Sequence, residues 1–473
     1  MFDAGGLLNR RDWLQSGAAA SGLALADALP EPNASVAADA NQRIPGFGRA
    51  KSVLIVFASG GQSQFETWDP KPDAPLEIRG EFSAIESTVP GMLLTEHLPM
   101  TAQMADKFTI VKSMSHLDLD HGSAFYLSMT GRYHDRLSSN PPPRASDYPC
   151  HGAILKNIRP TKKFVETAIH INGPAQVPIF IGPGQFGGLM GAKYDPMTIG
   201  NVNANKVVFP GLMSQEQLST ARMRARQTLL QSVESQTRQL EGRRKLLDAD
   251  SLYRRAFEML ERPETRNAFD LSTEPAKLRD RYGRNRAAQA CLLARRLVEA
   301  GVPLITVFFN HSNRGQDTKP DDTDSYGWDT HNDIFKALKV HLLPRFDRGF
   351  SALLEDMDQR GLLKETLVIC MGEFGRAPLV ALEPRFAGST PGRKHWASVY
   401  SIVVAGAGVK RGSVLGRSDR AGAYPASEKY GPWDIAATVF SALGIDPSGH
   451  YTDAAGRQLG ISEGKPISGL YSG

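Results

Sequence analysis

"SVLIVFASGG", residues 52–61, carries five consecutive large apolar residues, Val53 to Phe57, and then a pair of glycines. A run this apolar, rich in β-branched and aromatic residues and without polar alternation, describes a short strand buried on both faces; the glycines describe the turn that ends it. The same pattern returns along the chain. "FTIVKSM" (108–114), "AIHI" (168–171), "VPIFIG" (177–182), "VPLITVFF" (302–309), "TLVICM" (366–371) and "YSIVVAG" (400–406) all read as strands. Between them lie helical patterns: His121–Met129, "NRAAQACLLARRLVEAG" (285–301), His331 to about Leu343, "SALLEDMDQRGLL" (351–363) and "WDIAATVFSALGI" (433–445). Gly301 is the expected cap of the second of these. Strands alternating with helices predict an α/β fold, a mainly parallel central sheet with helices on both faces. Ligands of such sheets bind beyond the carboxyl ends of the strands, so polar residues that just follow strands are the ones to inspect.

The bulk properties agree with a globular chain. Of 473 residues 41% are hydrophobic and 22% charged, and the net charge of +5 is too mild to imply a nucleic-acid partner. Cys291 and Cys370 sit in apolar helix and strand runs, and the three cysteines form no metal or disulfide pattern. At the start, "NRRDWLQSGAAASGLALADALP" places Arg10 and Arg11 before an Ala/Gly/Leu stretch. That is the form of a twin-arginine export signal, with an amphipathic first helix as the alternative. The expectation is residues 1–40 as signal and linker, a single domain over 41–473, and a periplasmic or extracellular address. No later stretch reaches the ~18 apolar residues of a membrane span. Residues 214–262 are charged and periodic, part of a helix-rich insertion at about 205–300, whose arginines alternate with acids as on a solvated face.

Four candidates follow or adjoin strands: Ser59–Ser63, Asp329 with His331, Glu373 with Arg376, and His395; His121 heads a helix. Asp329-Thr330-His331 is the sharpest. In an extended segment alternate residues share a face, so carboxylate and imidazole can converge on one metal ion. The competing reading is a capping box of Thr330 and Asp333. Glu373 reads as a ligand, a base or the partner of Arg376, and Arg376 as a site for an anionic group. "GAGVKRG" (406–412) lacks dinucleotide spacing and reads as a glycine turn. Asp118 and Asp120 beside His121 form an acid-rich loop of weak specificity.

The order of these segments resembles the alkaline phosphatase and sulfatase superfamily. "GLLKETLVICMGEFGR" is similar to its segment with a metal-binding Asp-His or Asp-Asn pair, and "HWASVYSIVVAG" to its late metal histidine and following strand. "WDIAATVFSALGIDP" is similar to a helix near the end of sulfatases. "HGSAFYLSMTGRYH" (121–134) lies over the sulfatase segment Cys-x-Pro-Ser-Arg-x-x-x-x-Thr-Gly-Arg. A closer resemblance, in "GGQSQFETWDPKP", "GWDTHND", "LLPRFDRGFSALLEDMDQRGLL", "MGEFGRAP" and "GRKHW", is to the bacterial family called domain of unknown function 1501, many of whose members carry twin-arginine signals. The resemblance implies an alkaline-phosphatase-like three-layer α/β/α sandwich. It also implies one metal site formed by Asp329, His331 and His395. The second metal site of the superfamily is degraded: Ser59, Gly60 and Gly61 stand where its first acid would be, Glu373-Phe374 replaces Asp-His, and His121 occupies the nucleophile position.

A covalent mechanism is therefore not expected. Two imidazoles and a carboxylate with an open position suit one divalent ion, zinc first and iron second, and bound zinc lowers the pKa of water to about 7. His121 and Glu373 become the candidate catalytic groups, and Arg132, Arg376 and Lys394 the candidates for an anionic substrate group. This describes a mononuclear, metal-dependent hydrolase of phosphate or sulfate esters, small or polysaccharide, using metal-bound water. A non-catalytic carbohydrate- or partner-binding protein on a degenerate hydrolase fold stays open, as does an iron site handling oxygen.

Overall fold

Successive residues of the first strand, β1 (Ser52–Phe57), enter two different cores. Leu54 and Val56 belong to one apolar cluster; Val53, Ile55 and Phe57 belong to the other. This two-faced burial is what the apolar run demanded, and it makes the sheet the middle layer of three. The computed structural model describes residues 44–203, 263–315 and 323–472. The twin-arginine stretch, most of the helix-rich insertion and part of the 310–328 loop lie outside the described residues.

Seven further strands join β1: β2 (Phe108–Met114), β3 (Ala168–Ile171), β4 (Met197–Ile199), β5 (Leu304–Phe308), β6 (Thr366–Met371), β7 (Tyr400–Ala405) and β8 (Ser413–Leu415). Their order across the sheet is β8-β2-β7-β6-β1-β5-β3-β4. β1 pairs in parallel with β5 (Val53 opposite Leu304) and with β6 (Ser52 opposite Thr366). β7 runs antiparallel to both its neighbours, β2 and β6. Every other pairing in this sheet is parallel, so among the described residues β7 is its one reversed strand. On one face lie α1 (His121–Thr130), α2 (His151–Ile158) and α5 (Pro432–Ala442), through Phe125, Ile154 and Val439. On the other lie α3 (Arg286–Glu299) and α4 (Leu343–Gln359), through Leu292 and Leu353. The molecule is thus a three-layer α/β/α sandwich on a mainly parallel sheet, as expected. Among the described residues no helix is long and apolar enough to cross a membrane.

Two local expectations differ. "VPIFIG" is not a strand: Gln176 and Ile181 form only an isolated bridge, because Pro174 and Pro178 remove donors a ladder needs. The helix expected from His331 starts at Ile334 instead, and Thr330 is not its cap. Thr330 Oγ1 lies 3.3 Å from the Trp328 carbonyl, and Asp333 precedes the helix at φ +52°. The helix then continues through a π turn (Leu338–Leu342) into α4. That turn sits just before Pro344, which has no N–H to give to an α-helical ladder.

The apolar run of β1 should carry much of the stability. Leu54→Ala, at a fully buried position, is expected to lower the unfolding free energy by about 3 kcal/mol. Lys51→Ala, on an exposed neighbour, should change it by less than about 0.5 kcal/mol. Urea unfolding of the two variants checks both.

Candidate metal centre

Asp329, His331 and Glu373 come from loops that leave the carboxyl ends of β5 and β6, and the Ser59-Gly60-Gly61 turn leaves β1 at the same edge. His395 lies ahead of β7, in a two-residue strand (His395–Trp396) paired with Gly375–Arg376. It reaches this edge because β7 is reversed, so its amino end lies where the carboxyl ends of β1 and β6 lie. His121 arrives as the first residue of α1, whose N-cap Asp120 accepts the His121 N–H at 2.9 Å.

Main-chain bonds fix the Asp329 loop. Trp328 N–H donates to Ser59 O at 3.1 Å, and Asp329 N–H to Asn313 O at 2.8 Å. Gly60 is required at this crossing. Its φ is +119°, and a Cβ would stand 2.4 Å from Asp329 N and 2.7 Å from Asn313 O. Gly392 serves the other side, since a Cβ there would meet the His331 carbonyl at 2.1 Å.

Three imidazoles then point at one oxygen. Asp329 Oδ1 lies 3.1 Å from His121 Nε2, 3.1 Å from His331 Nε2 and 3.3 Å from His395 Nε2. The four ligand-capable atoms all fall within 4.8 Å of one another. Each ring is anchored through its other nitrogen. His121 Nδ1 is 2.7 Å from Glu373 Oε1, His331 Nδ1 is 3.2 Å from Glu383 Oε1, and His395 Nδ1 is 2.7 Å from the Leu119 carbonyl. Glu373 Oε1 is itself held by the Gly60 N–H at 2.8 Å, and its backbone carbonyl by His116 Nε2 at 2.7 Å. Carboxylates and carbonyls behind each imidazole fix the tautomer that leaves Nε2 facing inward, which is the usual support of a metal-ligating histidine.

The donors fit a small divalent ion. Bonds of 2.0–2.1 Å to a tetrahedral zinc put ligand atoms about 3.3 Å apart, close to the distances around Asp329 Oδ1. The electrostatics agree. Burial disfavours charge on Asp329, but the charge on the adjacent His121 and the close polar contacts with His121, His331 and His395 outweigh it and hold the carboxyl well below its usual range. Burial also opposes charge on His121, yet Asp329 and Glu373 raise it to about 9. His395 is pushed down to about 3 by burial and by the charge on His121.

The remaining candidates lie in different places. Arg376 is fully buried. Its Nε donates to Gly61 O at 2.9 Å and Nη1 to Arg393 O at 3.2 Å. Nη2 reaches Gly60 O, Trp328 O at 3.0 Å and Asp329 Oδ1 at 3.0 Å. Its fork is spent on protein oxygens. Arg132 is not brought to the cluster: it lies past the far end of α1, about 15 Å along the helix, paired with Glu463 and the Gly460 carbonyl. Lys394 is exposed beside His395 and forms no ion pair among the described residues. Sequence reasoning missed the supports Glu383 and Leu119 O, and gave His121 no place among the ligands. Only Asp120 before His121, an N-cap signal that points the first helical residue at the strand ends, was there to be read.

Comparison with known proteins puts a family on this geometry. The model described as protein of unknown function (DUF1501) matches residues 50–471. The chain belongs to the DUF1501 family. No curated protein matches it. Among solved structures it is similar to a sulfatase from Pseudoalteromonas sp. (16% identity, covering 88% of this chain and 72% of that one, TM-score 0.38). It is also similar to a phosphonate monoester hydrolase from Silicibacter pomeroyi (11%, 88% and 75%, TM-score 0.40) and to a protein in the alkaline phosphatase superfamily from Vibrio parahaemolyticus (11%, 85% and 68%, TM-score 0.39).

The segments that resembled DUF1501 interlock around the cluster. From "GGQSQFETWDPKP", Gln64 brackets the Arg376 backbone, accepting its N–H at 2.9 Å and donating to its carbonyl at 2.9 Å. Glu66 pairs with the buried Arg393 of "GRKHW" at 2.7 Å. Trp328 of "GWDTHND" and Trp68 both pack edge-on against Phe346 of "LLPRFDRGF". These motifs build the frame of the centre.

Metal uptake should release protons. His121 carries one below about 9 and must lose it to coordinate. Affinity for Zn²⁺ should therefore rise about tenfold per pH unit up to that point and then level off; calorimetry in buffers of different ionisation enthalpy measures the release. Glu373→Gln, which keeps the shape but removes the charge behind His121, should weaken binding roughly 10- to 100-fold.

Proposed function

We propose that this DUF1501 protein is an exported, mononuclear metal-dependent hydrolase of phosphate or sulfate esters. One divalent ion, zinc by donor set with iron also suited, would be held by Asp329, His331, His395 and His121. One observation carries the reading: three buried or half-buried imidazoles, each fixed at Nδ1, turn their Nε2 atoms onto one carboxylate oxygen.

When bound, such an ion supplies Lewis acidity and a water acidic enough to be deprotonated near neutral pH. The chain's own residues do the rest. Glu373 holds the His121 ring in one tautomer. Arg376 orients Asp329 rather than meeting substrate. Lys394, exposed at the rim, is left to face the anionic part of an ester. His121, at the head of its helix, therefore serves as a ligand and not as a nucleophile. The twin-arginine reading of Arg10 and Arg11 supplies the export, consistent with a folded protein crossing already loaded with its ion.

The test is metal content and hydrolysis together. Purified protein should hold one equivalent of metal by mass spectrometry and cleave p-nitrophenyl phosphate or sulfate without accumulating a covalent adduct. His395→Ala should lose the metal and at least about 100-fold of the rate. Metal without hydrolysis would favour the binding-protein reading; no metal would remove the centre.

A further inference from the structure

The rim of the cluster is apolar on two sides. On the His395 side, the Leu119 carbonyl holds the ring while the Leu119 side chain is 46% exposed, and Leu117, two residues earlier, is 78% exposed. Leu119 N–H donates to Ser138 Oγ at 3.2 Å, which brings the exposed Leu137 to the same side. On the His331 side, Phe386 stacks face to face on the ring at 3.7 Å and 6°, yet is 39% exposed. Leu382, also exposed, precedes Glu383, the carboxylate behind His331.

These arms are held in place. Asn332, next to His331, donates to the carbonyls of Glu383 (2.9 Å), Phe386 (3.1 Å) and Ala387 (3.2 Å), and accepts the Glu383 N–H at 2.9 Å. Asp118, between Leu117 and Leu119, accepts the Ser138 N–H at 3.0 Å. Exposed leucines scattered singly are ordinary. Here Leu119 is bonded to His395 through its own carbonyl, Phe386 stacks on His331 and Leu382 adjoins Glu383, while Leu117 and Leu137 extend the Leu119 arm through the Asp118–Ser138 bond, so the patch begins at the site itself. His331 and His395 lie between the arms, their ring centroids 4.4 Å apart.

We propose that the centre selects substrates with an apolar leaving group, an aryl or alkyl ester seated between the Leu117/Leu119/Leu137 arm and the Leu382/Phe386 arm. This rests on the metal-centre reading above and goes beyond it in naming the substrate class. An aromatic or alkyl group gains by covering Phe386 and the leucines, a gain that the hydroxylated edge of a sugar does not share. Lys394 and Arg385, both exposed in the same segments, remain for the charged end of the ester.

The full-length protein loaded with Co²⁺ gives a readout independent of turnover. Acetohydroxamate and benzohydroxamate share one chelating head and differ only in the apolar tail, and their binding is followed by the Co²⁺ absorption spectrum. Benzohydroxamate should bind roughly tenfold more tightly or better. The Leu117→Ser/Leu382→Ser double variant, which changes neither a ligand nor a residue bonded to one, should cut that preference to less than about threefold while its Co²⁺ content and acetohydroxamate affinity stay as in the parent. Phe386→Leu should reduce it as well. Equal affinities in the parent would overturn the inference, as would a preference that both variants leave intact; the rim would then be an association surface. Failure of the parent to take up Co²⁺ at all would overturn the metal centre first, and the substrate class with it.

Discussion

A single carboxylate oxygen, Asp329 Oδ1, has three imidazole nitrogens and a guanidinium nitrogen within 3.3 Å. A buried carboxylate in such company is stable only if every neighbour is itself held, because a buried charge that loses a partner costs several kcal/mol. The surrounding architecture follows from that demand. Turns from β1, β5 and β6 converge on the Asp329 backbone, and α1 starts with a histidine aimed at the same point. The reversed β7 brings in a residue that would otherwise lie at the wrong end of the sheet.

The same demand explains the density of buried polar contacts beneath the site. Arg376 is bracketed by Gln64 and directed at Asp329; Arg393 is neutralised by Glu66. Such groups stabilise little in themselves, since desolvation offsets most of their attraction. They specify one arrangement of the loops instead, and a preformed set of donors loses less entropy when an ion binds. Gly60 and Gly392 belong to this scheme, for they let two backbones pass closer than any side chain would permit.

Much of the fold was legible from sequence because the sheet is buried on both faces. Continuous apolar runs such as 53–57 and 366–371 have few other uses, and the spacing of strands and helices dictated the layers. The reversal of β7 was not legible, since its apolar pattern is the same in either direction. Asp329 and His331 were legible through their alternation. His395 and Glu373 were found by resemblance and by position next to strands. The convergence of His121 with them depends on how a helix docks on a sheet, which no local pattern encodes. Arg376 misled: an arginine in a strand-end loop suggests an anion site, but its burial against four carbonyl oxygens and Asp329 turns it inward. Arg132 misled because Thr130-Gly131-Arg132 marks where α1 stops, with Gly131 at φ +71°, and not where the site lies.

Three imidazoles, and not two, should share one ion with Asp329. X-ray absorption at the metal edge of the purified protein tests it directly. The expected result is one metal with three imidazole nitrogens and a carboxylate oxygen at bonding distance, falling to two imidazoles in His121→Ala. A parent site with two imidazoles that His121→Ala leaves unchanged would contradict it.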